Sequence, residues 1–252
     1  MSGAGLLAPL LDAAAPEIHV WYCDLAQPAG DLGGLLDPAE RERAARFRFE
    51  RDRQPWIAAR AALRRILGAY LGLDPRLVRF ALGPQGKPGL DPALHPEPLH
   101  FNLSHSHQLM ALALAGRPVG VDVERERFEL DHAGLAAGAF SPTERAALAA
   151  LPADERPRAF FRIWARKEAF IKALGAGLSQ PLDSFDVSLE EGVAALLATR
   201  PDPAAAAGWA LAALRPGPGY AGALAVAAGD LAGGWRLVER RWPPGGERPD
   251  GI

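Results

Sequence analysis

"DPAER" at residues 37–41 and "SPTER" at residues 141–145 carry one local instruction twice. Each opens with a short polar residue, Asp37 or Ser141, that can accept a backbone N–H. Proline follows, with its φ preset and no N–H to lose, and glutamate stands at the third helical position, Glu40 or Glu144. Both read as capped helix starts. Working outward, each leads to a longer helix with an apolar face, "WIAARAALRRILGAYLG" in the first half and "FFRIWARKEAFIKALGAG" in the second, and glycines end both. A short extended stretch follows in each half, "RLVRFAL" or "FDVSL". Then comes an apolar pair with the look of a hairpin, "FNLSHSHQLMALALAG" or "GWALAALRPGPGYAGALAVAAG". Equivalent segments lie about 104 to 110 residues apart. The pattern predicts an α+β protein of two tandem, pseudo-two-fold-related subdomains with a natural cleft at their interface. Their boundary is expected near Gly116-Arg117-Pro118, giving an N-terminal subdomain over 1–117 and a C-terminal one over 118–241. The tail, 242–252, reads as disordered.

Composition narrows the function. At 252 residues and 49% hydrophobic, the chain can bury a substantial core. A net charge of −2 argues against general nucleic-acid binding. Cys23 is the only cysteine, so no internal disulfide can form and the cytoplasm is the expected compartment. The opening "MSGAGLLAPLLDAAAP" has no basic residue ahead of its apolar run, so a signal peptide is not expected. No apolar run approaches the roughly 18 residues of a membrane span, and no membrane association is expected.

Of the 28 basic residues, only Lys87, Lys167 and Lys172 are lysine; the other 25 are arginine. Lysine is a compact point charge where arginine is a planar fork. Two of the three lysines fall in "WARKEAFIK", residues 164–172. At 100° per residue Ile163, Trp164, Phe170, Ile171 and Leu174 share one apolar arc, and Lys167 projects into its middle. Glu168 and Lys172 sit at the edge of the arc, one turn apart. Two readings stand. Lys167 snorkels past its own methylenes, or the face looks into a site that holds an anion.

Other polar residues bear on that choice. "VGVDVERER", 119–127, alternates, placing Val119, Val121 and Val123 on one face and Gly120, Asp122 and Glu124 on the other. Two carboxylates two residues apart on a strand suit either a solvated outer face or one hard cation, and Glu168 could supply a third. The apolar "LMALALA" just before suggests that this hairpin lies inside a sheet. Oxygen-only ligands point to Mg²⁺ or Mn²⁺ rather than zinc. "NLSHSH", 102–107, reads as a polar turn between apolar strands, suited to a phosphate or to nothing in particular. "GPQGKPGL", 83–90, lacks the Ser/Thr and the strand-to-helix setting of a Walker loop. No G-x-S-x-G elbow is present. The arginine run from Arg41 to Arg65 reads mostly as a solvated helical face, from which one or two side chains could reach phosphate.

Taken together, "GKP", "FNLSHS", "GVDVE", "FSPTE" and "FFRIWARKEAFIKALGAGLSQPLDSFDV" occur in an order and spacing that resembles the 4′-phosphopantetheinyl transferases, over residues 37 to 227. Length and duplication resemble the larger, Sfp-type branch, which activates acyl, peptidyl or aryl carrier proteins of fatty acid, polyketide and non-ribosomal peptide synthesis. The resemblance implies a Mg²⁺ ion, with Mn²⁺ as the alternative, held by Asp122, Glu124 and Glu168 on the pyrophosphate of coenzyme A. It implies that Lys172 contacts the pyrophosphate and that Lys167 lies beside the metal and phosphates, which would explain the charge in the apolar arc. Lys87 with Gly86 and Pro88 would hold the adenosine end, Ser104 and His105 would reach its phosphates, and Arg43 and Arg53 would take the 3′-phosphate. One departure stands out: Ala176 replaces a lysine found in relatives. The implied reaction is attack by a carrier-protein serine on the phosphorus bearing pantetheine, with adenosine 3′,5′-bisphosphate leaving and Glu168, directly or through a water, taking the proton. A monomer is expected. The competing readings are another Mg²⁺-dependent phosphate-cleaving enzyme, such as a pyrophosphatase, and a non-catalytic coenzyme A or carrier-protein binding module.

Overall fold

The structure, a computed structural model, describes residues 3–26, 32–83, 85–175, 177, 180–229 and 234–242. After a short helix α1 (Gly3–Leu7), the first half runs β1 (Glu17–Asp24), α2 (Pro38–Ala45), α3 (Glu50–Leu71), β2 (Phe80–Leu82), β3 (Pro88–Leu90), β4 (His100–Ser106) and β5 (Leu109–Ala115). The second runs β6 (Val119–Arg125), α4 (His132–Ala139), α5 (Pro142–Ala150), α6 (Arg156–Leu174), β7 (Phe185–Val187), β8 (Leu196–Thr199), β9 (Trp209–Ala213) and β10 (Tyr220–Ala227), and β11 (Arg236–Trp242) ends the described chain. Both capping boxes form, Asp37 with Glu40 on α2 and Ser141 with Glu144 on α5. The long helices stop at Gly72 (φ 66°) and Gly175 (φ 70°), left-handed positions that glycine takes without strain.

The duplication is visible in the strand order. The first sheet contains β1-β5-β4 and the second β6-β10-β9, with antiparallel neighbours throughout both sets. The small pairs β2-β3 and β7-β8 also correspond. Each sheet turns one face to its long helix. Met110, Leu112 and Leu114 of β5 pack with Leu63, Ile66 and Leu67 of α3, while Ala223 and Ala225 of β10 pack with Ala169 and Phe170 of α6. The opposite faces meet in a shared layer of Val20, Ala111, Ala113, Val119, Val121, Val123, Leu224 and Val226. That is why "LMALALA" is apolar at every position: both faces of β5 are covered.

Three expectations differ from the fold. β5 and β6 do not form a hairpin; they lie in different sheets and meet by packing of faces. Asn102 to Ser106 lie within β4 rather than on a turn. Residues 236–242, assigned by sequence to the C-terminal subdomain and its tail, form a parallel strand beside β1 in the first sheet, from Glu17↔Arg236 to Cys23↔Trp242. The expected disorder of the tail beyond Trp242 lies outside the described residues.

Each half also contains a buried polar knot at the same place. In the first, Arg64 of α3, fully buried, donates from Nε to Glu40 (2.7 Å), from Nη2 to Asp37 (2.7 Å) and from Nη1 to the carbonyl of Val78 (2.9 Å), with its guanidinium over Phe80. In the second, Lys167 of α6, 1% exposed, donates to the carbonyls of Leu182 (2.7 Å) and Phe185 (2.6 Å), pairs with Glu144 (2.8 Å) and lies over the Phe185 ring. Glu144 in turn accepts from the amides of Ser141 and Val187. The capping glutamate of each short helix is thus the buried counter-ion of a cation on each long one. A charge so deep is tolerated because every donor has a partner.

Candidate active site

The seam between the halves is built around β6. Its alternation puts Gly120, Asp122 and Glu124 on the face toward α6 and its three valines in the shared core. A Cβ on Gly120 would fall far inside van der Waals distance of the Ala169 carbonyl oxygen and the Ala173 amide. Glycine therefore lets the backbone of α6 lie directly on β6. The approach brings Glu168 and Lys172, one turn apart on α6, to Asp122. Lys172 Nζ is 2.6 Å from Asp122 Oδ1 and donates to Ser104 Oγ at 2.9 Å.

The other wall comes from the first half. β4 runs alongside β6, joined to it by alternate side chains of "NLSHS". Asn102 Oδ1 accepts from the Val121 amide (2.8 Å), Ser104 Oγ donates to Asp122 Oδ1 (2.8 Å), and Ser106 Oγ donates to Glu124 Oε2 (2.8 Å). Lys87, from the β2–β3 turn, crosses the seam to donate to the carbonyls of Val119 (3.0 Å) and Lys172. Burial holds its ammonium down to about 8. A cleft of about 470 Å³ opens here, lined by Gly86, Lys87, Pro88, Asn102, Glu168 and Lys172 among others. A second cavity, of about 620 Å³, also borders Lys87 and Pro88 and is walled by His95, His100, Phe101 and Leu174.

Three carboxylates share this seam. Asp122 is 2% exposed, and its Oδ2 is buried with no hydrogen-bond partner among the described residues. Burial raises the pKa values of Glu124 and Glu168, and the negative charge of Asp122 adds to the rise in both. Such a set is short of positive charge, and Lys172 answers only part of it. Among the described residues no three His, Cys, Asp or Glu side chains already close on one point as metal ligands do. The donor chemistry nevertheless fits a hard divalent cation, with all-oxygen donors, mutual repulsion and one orphaned oxygen.

The remaining residues singled out by sequence divide. Ser104 joins the site, and His105 is exposed beside it at the rim, its imidazole held below the ordinary value by desolvation and then by Lys172. Arg43 and Arg53 are not drawn in by any contact among the described residues. Arg43 lies over the Trp56 ring, and Arg53 pairs with Glu50 at 2.6 Å. Lys167 departs most from expectation. Its ammonium is turned into the second subdomain toward Glu144 and not toward Asp122. Ala176 lies outside the described residues.

Comparison with known proteins agrees with this architecture. The N-terminal domain model of 4′-phosphopantetheinyl transferases matches residues 31–117, and the model of the 4′-phosphopantetheinyl transferase superfamily matches residues 118–225. The two matches meet where the chain passes from β5 to β6. 4′-Phosphopantetheinyl transferase HetI of a Nostoc species is 37% identical over 87% of this chain and 91% of its own. The chain belongs to the 4′-phosphopantetheinyl transferase superfamily. Within it the Sfp-type branch is supported by 4′-phosphopantetheinyl transferase Sfp of Bacillus subtilis, 35% identical over 62% of this chain and 68% of its own. A second Bacillus subtilis 4′-phosphopantetheinyl transferase is 34% identical over 69% and 77%.

For this phosphopantetheinyl transferase, sequence reasoning misses two residues that shape the seam, Asn102 and Ser106, and one, Glu144, that draws Lys167 away from it. The sequence marks Glu144 only as a helix cap, and Asn102 and Ser106 only as parts of a polar turn. The signal for the latter two is the period of two itself: Asn102, Ser104 and Ser106 alternate with Leu103 and His105, as strand residues do.

Proposed function

We propose that this transferase moves the 4′-phosphopantetheine arm of coenzyme A to a serine of an apo acyl, peptidyl or aryl carrier protein in a Mg²⁺-dependent reaction, releasing adenosine 3′,5′-bisphosphate. The observation that carries the reading is the meeting of Asp122, Glu124, Glu168 and Lys172 beside a cleft lined by Lys87. Asp122, Glu124 and Glu168 would hold the cation, which when bound supplies positive charge to the phosphates. Lys172, one side chain from Asp122, would stabilise charge on the non-bridging oxygens of the transferring phosphoryl group. Glu168 would accept the serine proton, directly or through a water; a carboxylate that also holds the cation is a poor base, which favours the route through a water. Lys87 would exchange its two neutral carbonyl partners for an anionic group of the nucleotide. A single cysteine, with no internal disulfide possible, supports a cytoplasmic setting, and a seam supplied by both halves of one chain supports a monomer.

The test is mass spectrometry of an apo carrier protein incubated with this chain, coenzyme A and Mg²⁺. The reading expects one phosphopantetheine added to the carrier serine, suppressed by EDTA and restored by Mg²⁺. Cleavage of coenzyme A with no change in the carrier would instead mark a pyrophosphate-cleaving enzyme. Binding without either product would mark a binding module.

A further inference from the structure

We infer that Ser106 is a positioning residue that presents Glu124 to the divalent cation, from across the seam. The inference rests on the metal reading above and extends it to a residue of the other subdomain. Glu124 stands one residue from the end of β6, half-buried, on a side chain with three rotatable bonds. Among the described residues its carboxylate receives one hydrogen bond, from Ser106 Oγ to Oε2 at 2.8 Å. Ser106 is itself oriented, because its Oγ accepts the Arg125 amide at 3.0 Å. With that lone pair engaged, the hydroxyl proton is directed at the carboxylate.

The same pattern occurs two residues earlier. Among the described residues, Ser104 holds Asp122 by Oδ1 and leaves Oδ2 without a hydrogen-bond partner, and Ser106 holds Glu124 by Oε2 and leaves Oε1 free of hydrogen bonds. Each serine anchors one oxygen and leaves the other to a ligand. The difference between them is support. Asp122 also accepts a hydrogen bond from Lys172, whereas Ser106 is the one hydrogen-bond donor to Glu124 among the described residues, Lys172 and Arg127 acting on it only through space.

The experiment measures Mn²⁺ binding to the full chain without coenzyme A, by electron paramagnetic resonance of free Mn²⁺, for the parent, Ser106→Ala and Ser106→Thr. Ser106→Ala should raise the Mn²⁺ dissociation constant about 10-fold, the low end of what loss of a partner to a metal ligand costs. Ser106→Thr keeps the hydroxyl on a residue at home in a strand, and should return the constant to within about 3-fold of the parent. Transfer by Ser106→Ala should recover at saturating Mg²⁺, and the variant should stay folded, its melting temperature lowered by no more than the few degrees that two part-buried hydrogen bonds cost. Parental Mn²⁺ affinity in Ser106→Ala overturns the inference, as does a loss that threonine does not restore. A parent that binds no Mn²⁺ overturns the metal reading and this inference together.

Discussion

Lys167 and Lys172 are five residues apart on one helix and differ in everything that matters for function. Lys172 faces Asp122 at the seam; Lys167 is sealed against Glu144. Lys167→Ala leaves the Glu144 carboxylate buried and unpaired, so denaturant unfolding should show a loss of about 3–5 kcal/mol. Lys167→Arg should lose much less, since Arg64 fills the matching place in the first half. Lys172→Ala also takes the cation from a buried carboxylate, Asp122, and should lose stability, by less because Lys172 is partly exposed; while still folded it should lose transfer. The anomaly of Lys167 is legible in the sequence, but its direction is not, because its counter-ion lies on another helix 23 residues upstream. The matching pair Arg64 and Glu40 is the available clue. Lys87 gives a test in pH. Its folded pKa of about 8 lies below its ordinary 10.5, so between those values the unfolded chain binds the extra proton. Relative to Lys87→Met, the parent should therefore gain stability as pH rises from about 8 to 10.5, with the full burial penalty present below 8. Binding an anion needs the ammonium, so parental affinity for coenzyme A should fall as pH passes 8, a decline absent in Lys87→Met. Calorimetric titration at pH 7 and 9 checks it.

At the scale of elements, the contact of α6 with β6 decides whether the site exists. Gly120 makes that contact, and a methyl there meets backbone atoms that cannot swing aside as a side chain can. Gly120→Ala should cost about 1–3 kcal/mol in denaturant unfolding. Because α6 carries Glu168 and Lys172, a shift of about 1 Å should cost about 10²-fold in turnover. A variant with parental stability and rate would show that the close approach is not needed. The alternation of β6 is legible because a period of two needs only local sequence. Its partner is not: an unbroken apolar run such as β5 looks the same whether it pairs with the next strand or packs face to face with it. β4 is hard to see as a strand because serine and asparagine are poor strand formers. Their polarity is needed there to join two sheets whose edges share no backbone ladder.

For the whole molecule, two capping boxes and two long helices are enough to reveal a duplicated α+β chain, and the strand orders β1-β5-β4 and β6-β10-β9 agree. β11 escapes notice because a strand returning to the other half leaves no mark in a repeat offset. It ties the end of the described chain to β1, and Glu239 accepts from Tyr22 of the first half and from the Arg215 amide of the second. What the two halves make together is an anionic seam in which Asp122 is held from the first half by Ser104 and from α6 by Lys172, and under the proposed function Asp122 is indispensable to transfer. The most direct test is Asp122→Asn, nearly isosteric, assayed by mass spectrometry of an apo carrier protein with coenzyme A and Mg²⁺ in a single turnover. Circular dichroism and melting of the same preparation confirm its fold. The expected result is a folded protein whose transfer rate falls at least about 10³-fold, a loss of about 4 kcal/mol of transition-state stabilisation. A folded Asp122→Asn chain that loads the carrier at the parental rate would contradict it.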